Sequence, residues 1–111
     1  MRAPKAKKPT GPLNEVFGDP KVTKILDFLL LRPEHQTKSE IRKGTRISDT
    51  AVESIITNLL NMHIITIGGQ VYHDKTAEAE NTYYVSKDSP AGRVVYELYE
   101  VIRTSRIPRL G

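Results

Sequence analysis

An α+β fold, with a three-helix core followed by a β-hairpin and a final helix, is predicted by three observations. Apolar residues recur at helical spacing over 22–30, 52–60 and 94–102. A β-branched run, Ile64-Ile65-Thr66-Ile67, and an alternating run from Asn81 to Val85 stand on either side of Gly68-Gly69. Helix-start signals at Asp19-Pro20, Thr37 with Glu40, Ser48 and Ser89-Pro90 separate these stretches.

Taken in order, residues 1–12 hold three prolines and four cations with almost nothing apolar, and read as a flexible basic arm. Leu13, Val16 and Phe17 suit a short lead-in helix packed on the domain or on a partner subunit. Asp19 is an N-cap with Pro20 at the first helical position. Val22, Ile25, Leu26, Leu29 and Leu30 form the stripe of a helix from about Pro20 to Arg32, which stops before Pro33. Thr37 and Glu40 form a capping box for a short helix over Lys38–Lys43, anchored by Ile41 and ended by Gly44 in a left-handed conformation. Ser48 caps the next helix, 48–62, with Asp49 favourable in its first turn and Val52, Ile55, Ile56, Leu59 and Leu60 as its buried stripe. Ile47 plugs the turn before it. Ile64–Ile67 is a strand that Gly68-Gly69 breaks, and Gln70 to Glu80 is the long polar tip of a hairpin. Ser89-Pro90 opens a last helix carrying Val94, Val95, Leu98, Val101 and Ile102 on one side, widened by Tyr96 and Tyr99.

Composition narrows the chemistry. The sequence has 111 residues, 38% of them hydrophobic, which suits one small domain. It contains no cysteine, so disulfides and thiolate metal sites are excluded. No apolar run reaches the ~20 residues that span a bilayer, and no signal-peptide pattern opens the chain, so a cytoplasmic location is expected. The net charge of +4 is unevenly placed. Arg2, Lys5, Lys7 and Lys8 lie in the arm and Arg103, Arg106 and Arg109 in the last nine residues, leaving ten cations against thirteen acids between them. Basic tails around an acidic body suit attraction to phosphates, with solubilising ends as the competing reading. The expected organisation is an arm over 1–12, a body over 13–103 and a basic tail over 104–111.

A helix, a tight turn, a longer helix and a hairpin make up the plan of a winged helix-turn-helix. The residues Ser39-Glu40-Ile41, Ile47-Ser48, Val52 to Leu60, Ile64-Ile65 and Tyr83-Tyr84-Val85 resemble the winged-helix transcriptional regulators, in particular the ArsR/MarR-like group and its small archaeal members. The likeness covers about residues 20–102. It implies a homodimer paired through the terminal helix, helix 48–62 in a DNA major groove and the wing near the backbone or minor groove. The sequence departs from that pattern in two places. Helix 48–62 exposes Asp49 and Glu53 rather than cations, and the wing tip offers Lys75 against Asp74, Glu78 and Glu80.

Candidate sites follow from this plan. Lys38, Arg42, Lys43 and Arg46 cluster about the turn, where such a motif meets phosphates, and Lys75 is the wing's cation. Thr50, Ser54, Thr57 and Asn58 have the hydrogen-bonding groups to read base edges, against the alternative of a solvated face. Asp49 and Glu53 have the chemistry to accept from cytosine amino groups, although acids here more often cap a helix or repel. Val94, Val95, Leu98, Tyr99, Val101 and Ile102 are the candidate dimer interface. His73 and Asp74, with Glu78 and Glu80, lack metal-ligand spacing, and His63 sits where capping or packing is usual, so no metal or other cofactor is expected. No nucleotide-cradling loop or catalytic triad pattern occurs, so an enzyme is not expected. The expected function is a nucleoid-associated, double-stranded-DNA-binding regulator. Two alternatives are an architectural coat that spreads along DNA and a winged-helix protein–protein adaptor.

Overall fold

The computed structural model describes residues 12–32, 34–72 and 78–105. The arm up to residue 11, the hairpin tip with His73, Asp74 and Lys75, and the tail from residue 106 lie outside them. The element order is α1 (Pro12–Phe17), α2 (Pro20–Leu31), β1 (Gln36–Thr37), α3 (Lys38–Thr45), α4 (Asp49–Asn61), β2 (Ile65–Tyr72), β3 (Ala79–Val85) and α5 (Pro90–Ser105). This is a winged helix-turn-helix: α2, α3 and α4 pack together, and β2 and β3 form the wing. Among the described residues no helix is long and apolar enough to cross a membrane.

The helix starts obey local chemistry. Asp19 accepts from the Lys21 amide at 2.9 Å, and Pro20 occupies the first turn of α2. Arg32 ends α2 in an extended conformation, as a residue before proline must. The α3 capping box is complete: Thr37 Oγ1 accepts from the Glu40 amide at 3.1 Å, and Glu40 Oε1 accepts from the Thr37 amide at 2.8 Å. Ser48 Oγ accepts from the Ala51 amide at 3.2 Å. Ser89 caps α5 by accepting from the Gly92 amide at 3.0 Å.

One core holds these elements together. Ile25, Ile41, Val52, Ile56 and Leu59 are its fully buried side chains, joined by Ile64, Ile65, Tyr83 and Val85 from the sheet. Ile47 is buried at the turn between α3 and α4.

Four expectations are corrected. Gly44 does not end α3. The helix runs on to Thr45, and Arg46 takes the left-handed conformation (φ 65°) while donating its amide to the Arg42 carbonyl. Gly44 is needed for space instead, because a Cβ there would run into the Phe28 ring. Second, Gly68-Gly69 does not break the strand. β2 continues to Tyr72, and the two glycines face Thr82 in a bulge, with Thr82 Oγ1 donating to the Gly69 carbonyl at 2.7 Å. Third, Gln70–Tyr72 and Ala79–Glu80 are therefore paired strand rather than wing tip. Fourth, β1 supplies an unforeseen third strand, in the order β1-β3-β2, pairing Gln36 with Tyr83 and Thr37 with Thr82.

His63 closes α4. Its φ is 62°, its amide donates to the Leu60 carbonyl, and the Ile64 amide donates to the Leu59 carbonyl. That pair of bonds is a Schellman motif, with Leu59 and Ile64 as its apolar contact. His63 thus has the capping role open to it from the sequence.

α5 docks through Gly92, whose missing side chain lets the helix backbone touch the sheet. A Cβ there would collide with the Ser86 carbonyl oxygen and lie 2.9 Å from that of Ile64. Both obstacles are backbone, and the Ser86 amide already donates to the Ile64 carbonyl at 2.9 Å. Gly92→Ala should therefore lift α5 off the sheet at a cost of roughly 3 kcal/mol, the upper part of the overpacking range. The thermal midpoint, followed by circular dichroism, should fall by about 12 °C or more. A fall below about 4 °C would mean that α5 docks elsewhere.

Candidate nucleic-acid interface

The capping box orients α3, and the Arg46 turn delivers α4 across it. Between them, bounded by the wing strand β3, lies an open cleft of about 760 Å³. It is lined by Lys38, Ser39 and Arg42 from α3, by Asp49, Thr50, Glu53, Ser54, Thr57 and Asn58 from α4, and by Glu80 from β3. All four residues expected to address base edges, Thr50, Ser54, Thr57 and Asn58, are exposed on this one surface. Two of the expected phosphate contacts, Lys38 and Arg42, share it. Lys43 and Arg46 are exposed outside the cleft and make no ion pair with a described residue.

Each cation inside the cleft is met by an acid from α4. Lys38 Nζ lies 2.9 Å from Glu53 Oε2, and Arg42 Nε lies 2.8 Å from Asp49 Oδ1. Burial lowers the Lys38 pKa, but the hydrogen bond to Glu53 and the charges of Tyr83 and Glu53 outweigh it. The net result lies above the ordinary lysine value. Lys38 is therefore charged throughout the neutral range. The third carboxylate, Glu80, accepts from the Ser39 amide at 3.2 Å and hydroxyl at 3.0 Å, tying the wing to α3. The lining as a whole sets two cations against three carboxylates.

Sequence reasoning did not find these pairings. Asp49 and Glu53 are visible as exposed acids, and their spacing of four puts them on one helix face. Their partners are fixed only by how α3 crosses α4. Ser39 and Glu80 carried no signal.

On the opposite side, α5 leaves much of its apolar surface uncovered. Val94, Leu98, Val101 and Ile102 are exposed, at 61, 39, 60 and 48%, while Val95 and Tyr99 are half-buried. Val95, Leu98, Tyr99 and Ile102 line an apolar groove of about 520 Å³ against Phe17, Leu26, Leu30 and Leu31. Leu13 of α1 stands 71% exposed. The remaining aromatic groups have local partners: Tyr83 is core, Tyr84 stacks on His35 with centroids 4.1 Å apart, and Lys87 sits 4.2 Å over Tyr96. Among the described residues no group of three His, Asp or Glu side chains is placed to hold a metal.

No protein-family model matches the sequence, and no curated protein matches it. Solved structures do share the fold. A point mutant of S. aureus MepR superposes with a TM-score of 0.58 at 16% identity, over 84% of this chain and 64% of that one. The S. aureus MepR–DNA complex gives 0.57 at 16% identity, over 83% and 70%. The MarR family transcription regulator SP03579 gives 0.51 at 14% identity, over 76% and 50%. This chain thus spans less than two thirds of the length of the first and last of these three proteins, and the likeness to all three is one of fold.

Proposed function

We propose that the protein is a dimeric double-stranded-DNA-binding regulator of transcription, working in the cytoplasm on the nucleoid and laying α4 in the major groove. The observation that carries this reading is the α3–α4 cleft. It gathers the hydrogen-bonding residues Thr50, Ser54, Thr57 and Asn58 on one exposed surface beside Lys38 and Arg42. That is the division of labour a helix-turn-helix needs: base-edge donors and acceptors on the second helix, phosphate contacts about the turn. One structure of this fold is a DNA complex, which favours a duplex as the partner. Lys43 and Arg46, with Lys75 of the wing, set register on the backbone. The arm over 1–12 and the tail over 104–111 add sequence-independent attraction. A second copy pairs through Val94, Val95, Leu98, Tyr99, Val101 and Ile102. The pair then presents its recognition helices to half-sites about one helical turn, roughly 34 Å, apart.

The acid excess of the cleft favours one second reading, a winged helix that contacts another protein. Fluorescence anisotropy of duplex DNA across a salt series separates the two. Changing Lys43→Ala together with Arg46→Ala should weaken binding to every duplex alike and flatten the salt dependence by about 1.8, at ~0.9 per lost phosphate contact. An unchanged slope removes these residues from the backbone contact. No duplex binding by the intact chain leaves the protein-contact reading.

A further inference from the structure

The acids of α4 stand where a DNA-reading helix would be expected to carry neutral or basic groups, and stability does not account for them. Their side chains are 84% (Asp49) and 64% (Glu53) exposed, and ion pairs so open to water contribute little to folding. Each pair uses a single carboxylate oxygen, Oδ1 of Asp49 for Arg42 and Oε2 of Glu53 for Lys38. A carboxylate has two oxygens, both acceptors. The second oxygen of each acid is left to meet a base edge on the same face as Thr50 and Thr57. In the major groove cytosine offers its N4 amino group there, whereas guanine O6 and N7 and thymine O4 are acceptors that repel a carboxylate.

Resting on the DNA reading above, we propose that Asp49 and Glu53 determine the sequence preference of this face. They select positions that present a cytosine amino group and, by holding Arg42 and Lys38, keep binding to unrelated duplexes weak. A matched site satisfies both oxygens and leaves no desolvated charge unpaired. A mismatched site sets the acid against an acceptor and costs about tenfold or more per position.

The test uses the full chain and its Asp49→Asn and Glu53→Gln variants, each checked for unchanged helical content by circular dichroism. Selection from a random duplex pool should give sites enriched in cytosine with the wild type, at positions each variant loses. On random duplex at 0.1 M salt each variant should bind roughly eightfold more tightly, with a slope steeper by about 0.9, because one cation is released to the backbone. Absence of cytosine enrichment by the wild type, or variants that bind random duplex no more tightly and no more steeply, overturns the assignment and leaves the DNA reading standing. No duplex binding by any of the three overturns both.

Discussion

Replacing Ile41 by Ala should cost about 4 kcal/mol, within the 2–5 kcal/mol range for such truncations and a large share of the roughly 5–15 kcal/mol that holds a small domain together. α3 has eight residues, and Ile41, with no exposed surface, is its one fully buried apolar side chain. The rest of its hold comes from the Thr37–Glu40 capping box and from buried Thr45, whose hydroxyl donates to the Ile41 carbonyl at 2.7 Å. A helix this short is not stable alone, so its docking depends on that anchor. Losing it should also spoil the cleft, since Lys38, Ser39 and Arg42 ride on α3. Urea unfolding should show the loss, and duplex affinity should fall with it. Ile41→Val, which keeps most of the volume, should cost about 1 kcal/mol. A loss below about 1 kcal/mol for the Ala variant would mean that α3 is held by its caps and not by its core contact.

The same helix marks the boundary between what the sequence makes legible and what it does not. Thr37 with Glu40, Ser48 and Ser89 act on amides within three residues, so their roles can be read from the chain alone. The apolar stripes of α2 and α4 are likewise local periodicities, and they place the core. Gly44 misleads because its reason is tertiary. The local rule offers it as a left-handed terminator, but the ring of Phe28, sixteen residues earlier, excludes any side chain there, and Arg46 accepts the positive φ instead. Gly68-Gly69 misleads in the same way: a strand break and a bulge look alike until the partner strand places Thr82 opposite. β1 has two residues, too few to show any period. The cleft follows this division. Its four neutral base-edge candidates lie on the exposed side of a helix whose buried side is evident, whereas the Arg42–Asp49 and Lys38–Glu53 pairs depend on a helix crossing that no local pattern encodes.

Substituting Leu98 and Ile102 together with Glu should convert the protein to monomers, as read by light scattering. Soluble monomers seldom expose large contiguous apolar patches. Here Val94, Leu98, Val101 and Ile102 of α5 and Leu13 of α1 are all substantially exposed. A symmetric interface repeats every substitution, so two changes per chain place four carboxylates in it. At even a tenfold penalty each, association weakens by about 10⁴, enough to take a micromolar dimer out of reach. Leu98 and Ile102 also line the groove against α2, so part of the effect could come from loosening the subunit itself. Val94→Glu with Val101→Glu separates the two, because those residues are 61 and 60% exposed and are not among the groove's lining. Changes at such positions leave a folded monomer within about 0.5 kcal/mol of its original stability. Monomers from both double variants, with the Val94 and Val101 pair melting as the wild type does, place the subunit contact on α5. A dimer that survives both moves the contact off this helix. Half-site spacing would then have to be explained by another surface, since it is α5 that sets the distance between the two recognition helices.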